Sequence, residues 1–156
     1  MDFQNLFNDV KNIEEQVPVV PAGIYEAIIQ DVYVDTVETK NGDRNILRII
    51  LVLQGNAGAL MTDNSSPVDG TTMEYGIFLP DESDKAMPSK FGRGETMYEV
   101  SVRKLKKFFK KAGIDPTQFP SFEDAINALK GAQVKVEIEN KMTDDGIYFD
   151  NIKRIV

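Results

Sequence analysis

The stretch from residue 23 to residue 55, GIYEAIIQDVYVDTVETKNGDRNILRIILVLQG, predicts two long β-strands joined by a tight turn. In the first strand, apolar side chains alternate with polar ones, but the alternation changes parity between Ile29 and Val32. Because successive side chains of a strand point to opposite faces, this change indicates a β-bulge that bends the strand. The pair Asn41-Gly42 favours the turn, since both residues accept the positive φ of a tight hairpin. A long, bent first strand is typical of small closed barrels.

The rest of the chain shows three more strand patterns and two helical ones. TTMEYGIFLP (71–80) and AQVKVEIEN (132–140) alternate as strands do, and GIYFDNIKRIV (146–156) follows an Asp-Gly turn. Apolar residues recur at helical spacing from Thr96 to Ala112, and a shorter helix is predicted to begin after Ser121. The segment from residue 55 to residue 70 is small, polar and rich in Gly, which predicts a mobile loop.

The predicted order is therefore three strands, a helix and two strands. This is the order of the OB fold, a five-stranded barrel with a helix between strands 3 and 4. We predict a mainly β protein with an OB-type barrel over residues 18–156. In the N-terminal segment, residues 1–17, apolar side chains from Phe3 to Val10 recur on one face, which predicts a short amphipathic helix. This helix either packs on the barrel or docks a partner.

Composition limits the chemistry available to the chain. Its 156 residues include no histidine and no cysteine, which removes imidazole and thiolate groups from catalysis and from metal binding. The 25 acidic residues are scattered, whereas a metal-dependent nuclease needs several converging on one site. We therefore expect no enzyme, no cofactor and no metal, and a carboxylate nuclease is the remaining catalytic alternative. No apolar run reaches the roughly 20 residues that span a bilayer, so we expect a cytoplasmic protein without a membrane partner.

Charge is distributed unevenly along the chain. The 18 basic and 25 acidic residues give a net charge of −7. Residues 85–111 reverse the balance, with nine basic and two acidic side chains. A basic block on an acidic protein suits the binding of a phosphate backbone on one surface. A solvated helix face is the alternative, and charge alone does not separate the two.

The chain resembles phage-type single-stranded DNA-binding proteins with an OB fold. The resemblance lies in PAGIYEAIIQDVYVDTVETKNGDRNILRIILVLQG, in the helix with Leu105, Phe109 and Ala112-Gly113, and in the later LKGAQVKVEIEN and DGIYFDNIKRI. It covers residues 18–156. It implies sequence-tolerant binding of single-stranded DNA in phage replication or recombination, in the cytoplasm of the bacterial host. Phage replication or recombination proteins are then expected as further partners, and the oligomeric state stays open.

Residues on the predicted outward faces of the strands are candidates for DNA binding. Single strands are held by cations along the backbone and by aromatic rings that stack on bases, worth about 1–3 kcal/mol per base. Arg48 and Phe78 fall on the outward faces of strands 2 and 3, where OB folds bind ligands, and Gly76 is expected to leave open space beside them. Tyr33 and Tyr148 are candidate stacking platforms at the barrel mouth. Cover by a loop, or half-buried packing, is the alternative for each.

Loop cations complete the predicted site. Lys40 and Arg44 flank the Asn-Gly turn, and Lys141 lies at the last hairpin. The segment Lys90-Phe91-Gly92-Arg93-Gly94 interleaves two cations with an aromatic ring between flexible glycines, which suits the clamping of a single strand. Solvated loops are the alternative reading of these cations. The predicted DNA-binding set is Tyr33, Lys40, Arg44, Arg48, Phe78, Lys90, Phe91, Arg93, Lys141 and Tyr148.

Two groups are predicted to lie outside that site. The lysines from Lys104 to Lys111 are assigned to a solvated face, because the helix of an OB fold closes the barrel away from the groove. Tyr75 has the parity of the core and is expected to be buried. If the chain does not bind nucleic acid, the alternative function is an OB-type protein-interaction module.

Overall fold

The computed structural model describes residues 1–156 and contains one five-stranded antiparallel sheet and three α-helices. The strands are Gly23–Thr39 (β1), Gly42–Leu53 (β2), Thr72–Phe78 (β3), Gln133–Met142 (β4) and Tyr148–Ile155 (β5). The helices are Phe3–Asn12 (α1), Met97–Lys111 (α2) and Phe122–Ala128 (α3), with short 3-10 turns at Glu82–Ala86 and Pro116–Gln118. The strands lie in the order β3-β2-β1-β4-β5. The prediction of a mainly β chain with a helix between strands 3 and 4 is confirmed.

Strand β1 is the centre of the sheet. It pairs with β4 from Gly23 to Ile28 and with β2 from Ala27 to Thr39. The register with β2 shifts between Ile29 and Asp31, which is the bulge that the parity change predicts. Because the bulge bends the strand, one long strand can serve two partners in different directions.

The core lies on one face of the sheet and is covered by helices. Leu47, Ile49, Leu51 and Leu53 alternate along β2 and are all fully buried, as the alternation predicts. The second helix closes this core with Phe108 and Phe109, and α3 adds Ala125 and Ile126; these four residues are all buried.

The sheet is open between its two edge strands, β3 and β5. Residues of these strands come within 8 Å of each other between Cα atoms, but no hydrogen-bonded ladder joins them. The closed barrel that the strand order predicts is therefore not confirmed. What is present is an open antiparallel sheet whose edges approach each other above α2.

The N-terminal helix α1 does not pack on the sheet. Asp2 caps it by accepting hydrogen bonds from the amides of Gln4 and Asn5, but none of its residues is buried. The expectation that this helix packs on the barrel is not met, whereas its predicted amphipathic pattern is present. No helix of the structure combines the length and apolar character needed to cross a membrane.

The segment between β2 and β3 was expected to be mobile but is tied to the rest of the protein. The carboxylate of Asp69 accepts hydrogen bonds from the amide and the side chain of Asn56. Leu60 and Pro67 form an isolated β-bridge, and Val68 is fully buried in the core. The segment therefore acts as a packed cover of the core.

Candidate nucleic-acid interface

A cleft of about 350 Å³ lies between strand β3 and helix α2. Aromatic residues line its sheet side, where Phe78 is 52% exposed and Tyr75 is half-buried. Burial raises the pKa of the Tyr75 hydroxyl above its ordinary value of 10.0. Basic residues line the other walls: Lys104, Lys107, Lys111 and Arg154. Aromatic and cationic side chains thus meet in one concave surface.

Helix α2 turns these lysines toward β3 because its opposite face is held in the core. Lys104, Lys107 and Lys111 follow at i, i+3 and i+7, which places them on one side of a helix. Phe108 and Phe109 are buried beneath the helix and fix its rotation about its axis. The ammonium group of Lys111 also donates a hydrogen bond of 3.0 Å to the carbonyl of Ile155, which ties the end of α2 to β5.

None of the three lysines of the cleft is paired with an acidic residue, and only Lys111 has another partner, the carbonyl of Ile155. The ammonium groups of Lys104 and Lys107 form no salt bridge. Arg154, by contrast, is paired with Glu137 at 2.6 Å. Because unpaired ammonium groups keep their field for a ligand, Lys104 and Lys107 are the strongest anion-binding groups of the cleft.

A second cleft of about 640 Å³ adjoins the first, and Lys104 and Lys107 line both. Its far wall is Phe91 and Arg93, from the loop that the Pro88–Thr96 bridge closes in front of α2. The two clefts therefore form one basic path with an aromatic ring near each end. The loop cation Lys90 lies with its ammonium group 5.9 Å from the Phe91 ring centroid.

The outward face of the sheet is less suited to DNA than the sequence suggests. Tyr33, Arg48 and Gly76 do form one row across β1, β2 and β3, as their parities predict. However, the Nε atom of Arg48 lies 3.4 Å from a carboxylate oxygen of Asp35 and 3.4 Å from one of Glu74. These two carboxylates neutralise Arg48 and would repel a phosphate.

The space that a side chain at position 76 would need is filled. A Cβ atom built on Gly76 would lie 2.7 Å from the Cδ1 atom of Ile46, whose side chain fills that position. Glycine is therefore explained by the close approach of an apolar side chain, while Gly76 itself is exposed and lines the cleft.

The predicted cations of the first hairpin have different roles. Lys40 is exposed at the turn and makes no salt bridge. Arg44 is directed along the protein surface, where its Nη2 atom donates to the carbonyl of Leu79 at 3.2 Å and to Asp84 at 2.9 Å. Asp84 is only 4% exposed, so this pair anchors the 3-10 turn after β3. Arg44 is thus engaged within the protein.

The predicted residues of the last hairpin lie away from the cleft. Lys141 is paired with Glu139 at 3.2 Å. Tyr148 is exposed, and it begins β5, whereas Ile155 ends the strand in the wall of the cleft. Seven residue steps of a β-strand separate the two by about 23 Å. The structure therefore places Phe78 in the first cleft and Phe91 and Arg93 in the adjoining one, whereas Tyr33, Arg48, Lys141 and Tyr148 line neither cleft.

The helix lysines were predicted to lie away from Phe78, and the structure divides them. The prediction is wrong for Lys104, Lys107 and Lys111, which line the same cleft as Phe78, whereas Lys106 and Lys110 lie outside that cleft. Tyr75 was expected to be buried but is half-buried and reaches the cleft wall. The spacing of the three lysines could have separated them from the other lysines of the helix.

The structure contains no group of three or more Asp or Glu residues placed to hold a metal ion. No protein-family model matches the chain, and a search of curated proteins finds no match.

Proposed function

We propose that this protein binds single-stranded DNA without sequence preference, in the path along α2. The observation that carries the proposal is the meeting of Phe78 with Lys104 and Lys107 in one cleft. An exposed ring offers a stacking surface to any base, and the two unpaired ammonium groups neutralise phosphates. The path continues to Phe91 and Arg93, so one strand meets a second ring and a further cation.

Within this proposal, the open sheet is an OB-type barrel that closes at the approach of β3 to β5. The strand order β3-β2-β1-β4-β5 and the position of α2 beneath that gap support this reading. The resemblance of residues 18–156 to phage single-strand binders supports a role in phage DNA replication or recombination, in the bacterial cytoplasm.

Loss of the Phe78 ring tests base stacking. Fluorescence anisotropy of a short labelled oligo-dT measures affinity, at protein concentrations low enough to keep the protein monomeric. Phe78→Ala should weaken binding by about 1–3 kcal/mol, a factor of about 5 to 150, because one stacking partner is removed. Phe122→Ala is the matched control, since Phe122 is similarly exposed but lies on α3, outside the cleft. Equal affinities for the two variants would contradict stacking at Phe78.

A pair of double variants tests which side of α2 holds the backbone. Lys104→Gln with Lys107→Gln removes the two cations of the cleft, and we expect a loss of at least tenfold in affinity. Lys106→Gln with Lys110→Gln removes two charges from the same helix outside the β3–α2 cleft. This control should lose much less, because salt screens its remaining long-range effect. If the control variant loses as much affinity for DNA as the cleft variant, the DNA-binding site does not lie in the β3–α2 cleft.

We further propose that binding is passive, without turnover. Labelled oligo-dT should stay intact with Mg²⁺ or Mn²⁺, and cleavage that disappears on substitution of one Asp or Glu would favour the nuclease instead. An unchanged anisotropy with both single-stranded and duplex DNA would favour the protein-interaction module.

A further inference from the structure

The N-terminal segment, residues 1–17, is an acidic arm with an uncovered apolar face. No residue of α1 is buried, and its two aromatic side chains are strongly exposed, Phe3 at 74% and Phe7 at 53%. The same face carries Leu6 and Val10, which are also exposed. The segment contains four acidic residues and one basic residue, so its net side-chain charge is −3. An apolar stripe of this kind normally packs against another surface.

The outer side of α2 is basic where the arm is acidic, and it is exposed from Val102 onward, whereas Tyr98 is half-buried with the Lys85 ammonium group 4.8 Å from its ring centroid. Tyr98, Val102, Lys106 and Lys110 follow at intervals of four residues and form an outer stripe along the helix. Val102 is 40% exposed. Lys106 and Lys110 form no salt bridge and line a cleft of about 520 Å³ beside α2.

The chemistry of the two surfaces is complementary. The arm offers carboxylates around an aromatic stripe, and the outer stripe of α2 offers ammonium groups around Tyr98 and Val102. Lysine ammonium groups also bind over aromatic faces, and Phe3 offers such a face, whereas the Phe7 ring already has Lys11 at 4.2 Å from its centroid. Asp115 is the one acidic residue in the wall of this cleft, against four basic ones.

The arm and the outer stripe lie at opposite ends of β5. Gln16 is fixed at one end, where its side-chain amide exchanges two hydrogen bonds of 2.9 Å with the backbone of Tyr148. The end of α2 is fixed at the other, where Lys111 binds the carbonyl of Ile155. The strand between them is about 23 Å long. Two different surfaces at opposite ends form a head-to-tail interface, which joins molecules in rows instead of closed dimers.

We propose that α1 of one molecule docks on the outer stripe of α2 of a second copy of this chain, so that the protein self-associates head to tail. Lys104 and Lys111 stay available to DNA in this arrangement, because they do not line the cleft beside the outer stripe, whereas Lys107 borders both clefts. The interaction does not require DNA. It is weak, since one short helix buries less than the roughly 1,200 Å² of a stable interface.

Sedimentation equilibrium without DNA tests the proposal. At protein concentrations on the order of 100 μM, the average mass should rise above the 17.5 kDa of one chain. In high salt, which screens the attraction between the two surfaces, the mass should return to 17.5 kDa. The double variant Phe3→Ser with Phe7→Ser should abolish the rise in average mass. The double variant Lys106→Gln with Lys110→Gln should abolish it as well. Because no residue of α1 is buried, the first variant leaves the folded domain intact.

Two controls make the result specific. The first control, the double variant Asn5→Ser with Asn8→Ser, changes the polar side of α1. The second control, Lys90→Gln with Lys104→Gln, removes two charges outside the outer stripe and its cleft. Both controls should still show the rise in average mass. A constant 17.5 kDa at all concentrations would overturn the proposal, and so would a rise that survives both the Phe3/Phe7 and the Lys106/Lys110 variants. Since no DNA is present, this outcome is independent of the outcome for DNA binding.

Discussion

The guanidinium of Arg44 is held by two acceptors from the segment that follows β3. One is the carbonyl of Leu79, and the other is the carboxylate of Asp84, which is almost fully buried. A buried carboxylate that loses its partner pays the cost of desolvation without compensation. The role of Arg44 is therefore measurable as stability, separately from any contact with DNA.

Arg44→Ala should lower the free energy of unfolding by about 2 kcal/mol, because it leaves Asp84 without its cation. Urea denaturation measures this loss. Lys40→Ala in the same hairpin is the control and should change stability by less than about 0.5 kcal/mol, since Lys40 is exposed and unpaired. If the Arg44→Ala variant had normal stability but a reduced affinity for DNA, Arg44 would be a DNA-binding residue instead of a structural one.

Among the elements, α2 presents cations on two sides, and both proposals depend on it. Its first turn is fixed by a capping box, in which Thr96 and Glu99 exchange hydrogen bonds between side chains and backbone. Thr96→Ala removes one half of this box and should lower the free energy of unfolding by about 1 kcal/mol. Thermal and urea denaturation measure the change, with Thr72→Ala on the exposed face of β3 as the control. Equal stabilities of the two variants would mean that the cap contributes nothing.

The elements themselves could be predicted from local pattern, but their mutual placement could not. The strict alternation in β2 and β4, the parity change in β1 and the turn at Asn41-Gly42 each depend on neighbours in sequence. Which lysines of α2 meet Phe78 depends on the burial of Phe108 and Phe109 and on the tie to Ile155, which are contacts across the fold. The pairing of Arg48 with two carboxylates likewise requires the register of three strands. The gap between β3 and β5 is also a tertiary property.

At the scale of the whole molecule, an acidic protein with a basic path should bind DNA in a strongly salt-dependent manner. The logarithm of affinity for single strands falls by about 0.7 per phosphate contact for each unit of log salt. Lys104 and Lys107 alone should give a slope of about −1.4, and other cations of the path should steepen it. The Lys104→Gln and Lys107→Gln double variant should reduce the slope by about 1.4. Anisotropy titrations over a series of NaCl concentrations measure this, and a flat dependence would contradict phosphate neutralisation.

The approach of β3 to β5 also bears on how the protein behaves when it is abundant. The free edge of a sheet exposes unpaired N–H and C=O groups, which recruit strands from other molecules and start aggregation. Here the edges of β3 and β5 face each other above α2, so a strand that joined either of them would have to enter the gap between them. If the proposed binding of single-stranded DNA holds, the protein is needed in amounts that match the length of the strand. Shielding of these two edges would favour its accumulation to such amounts without amyloid-like stacks.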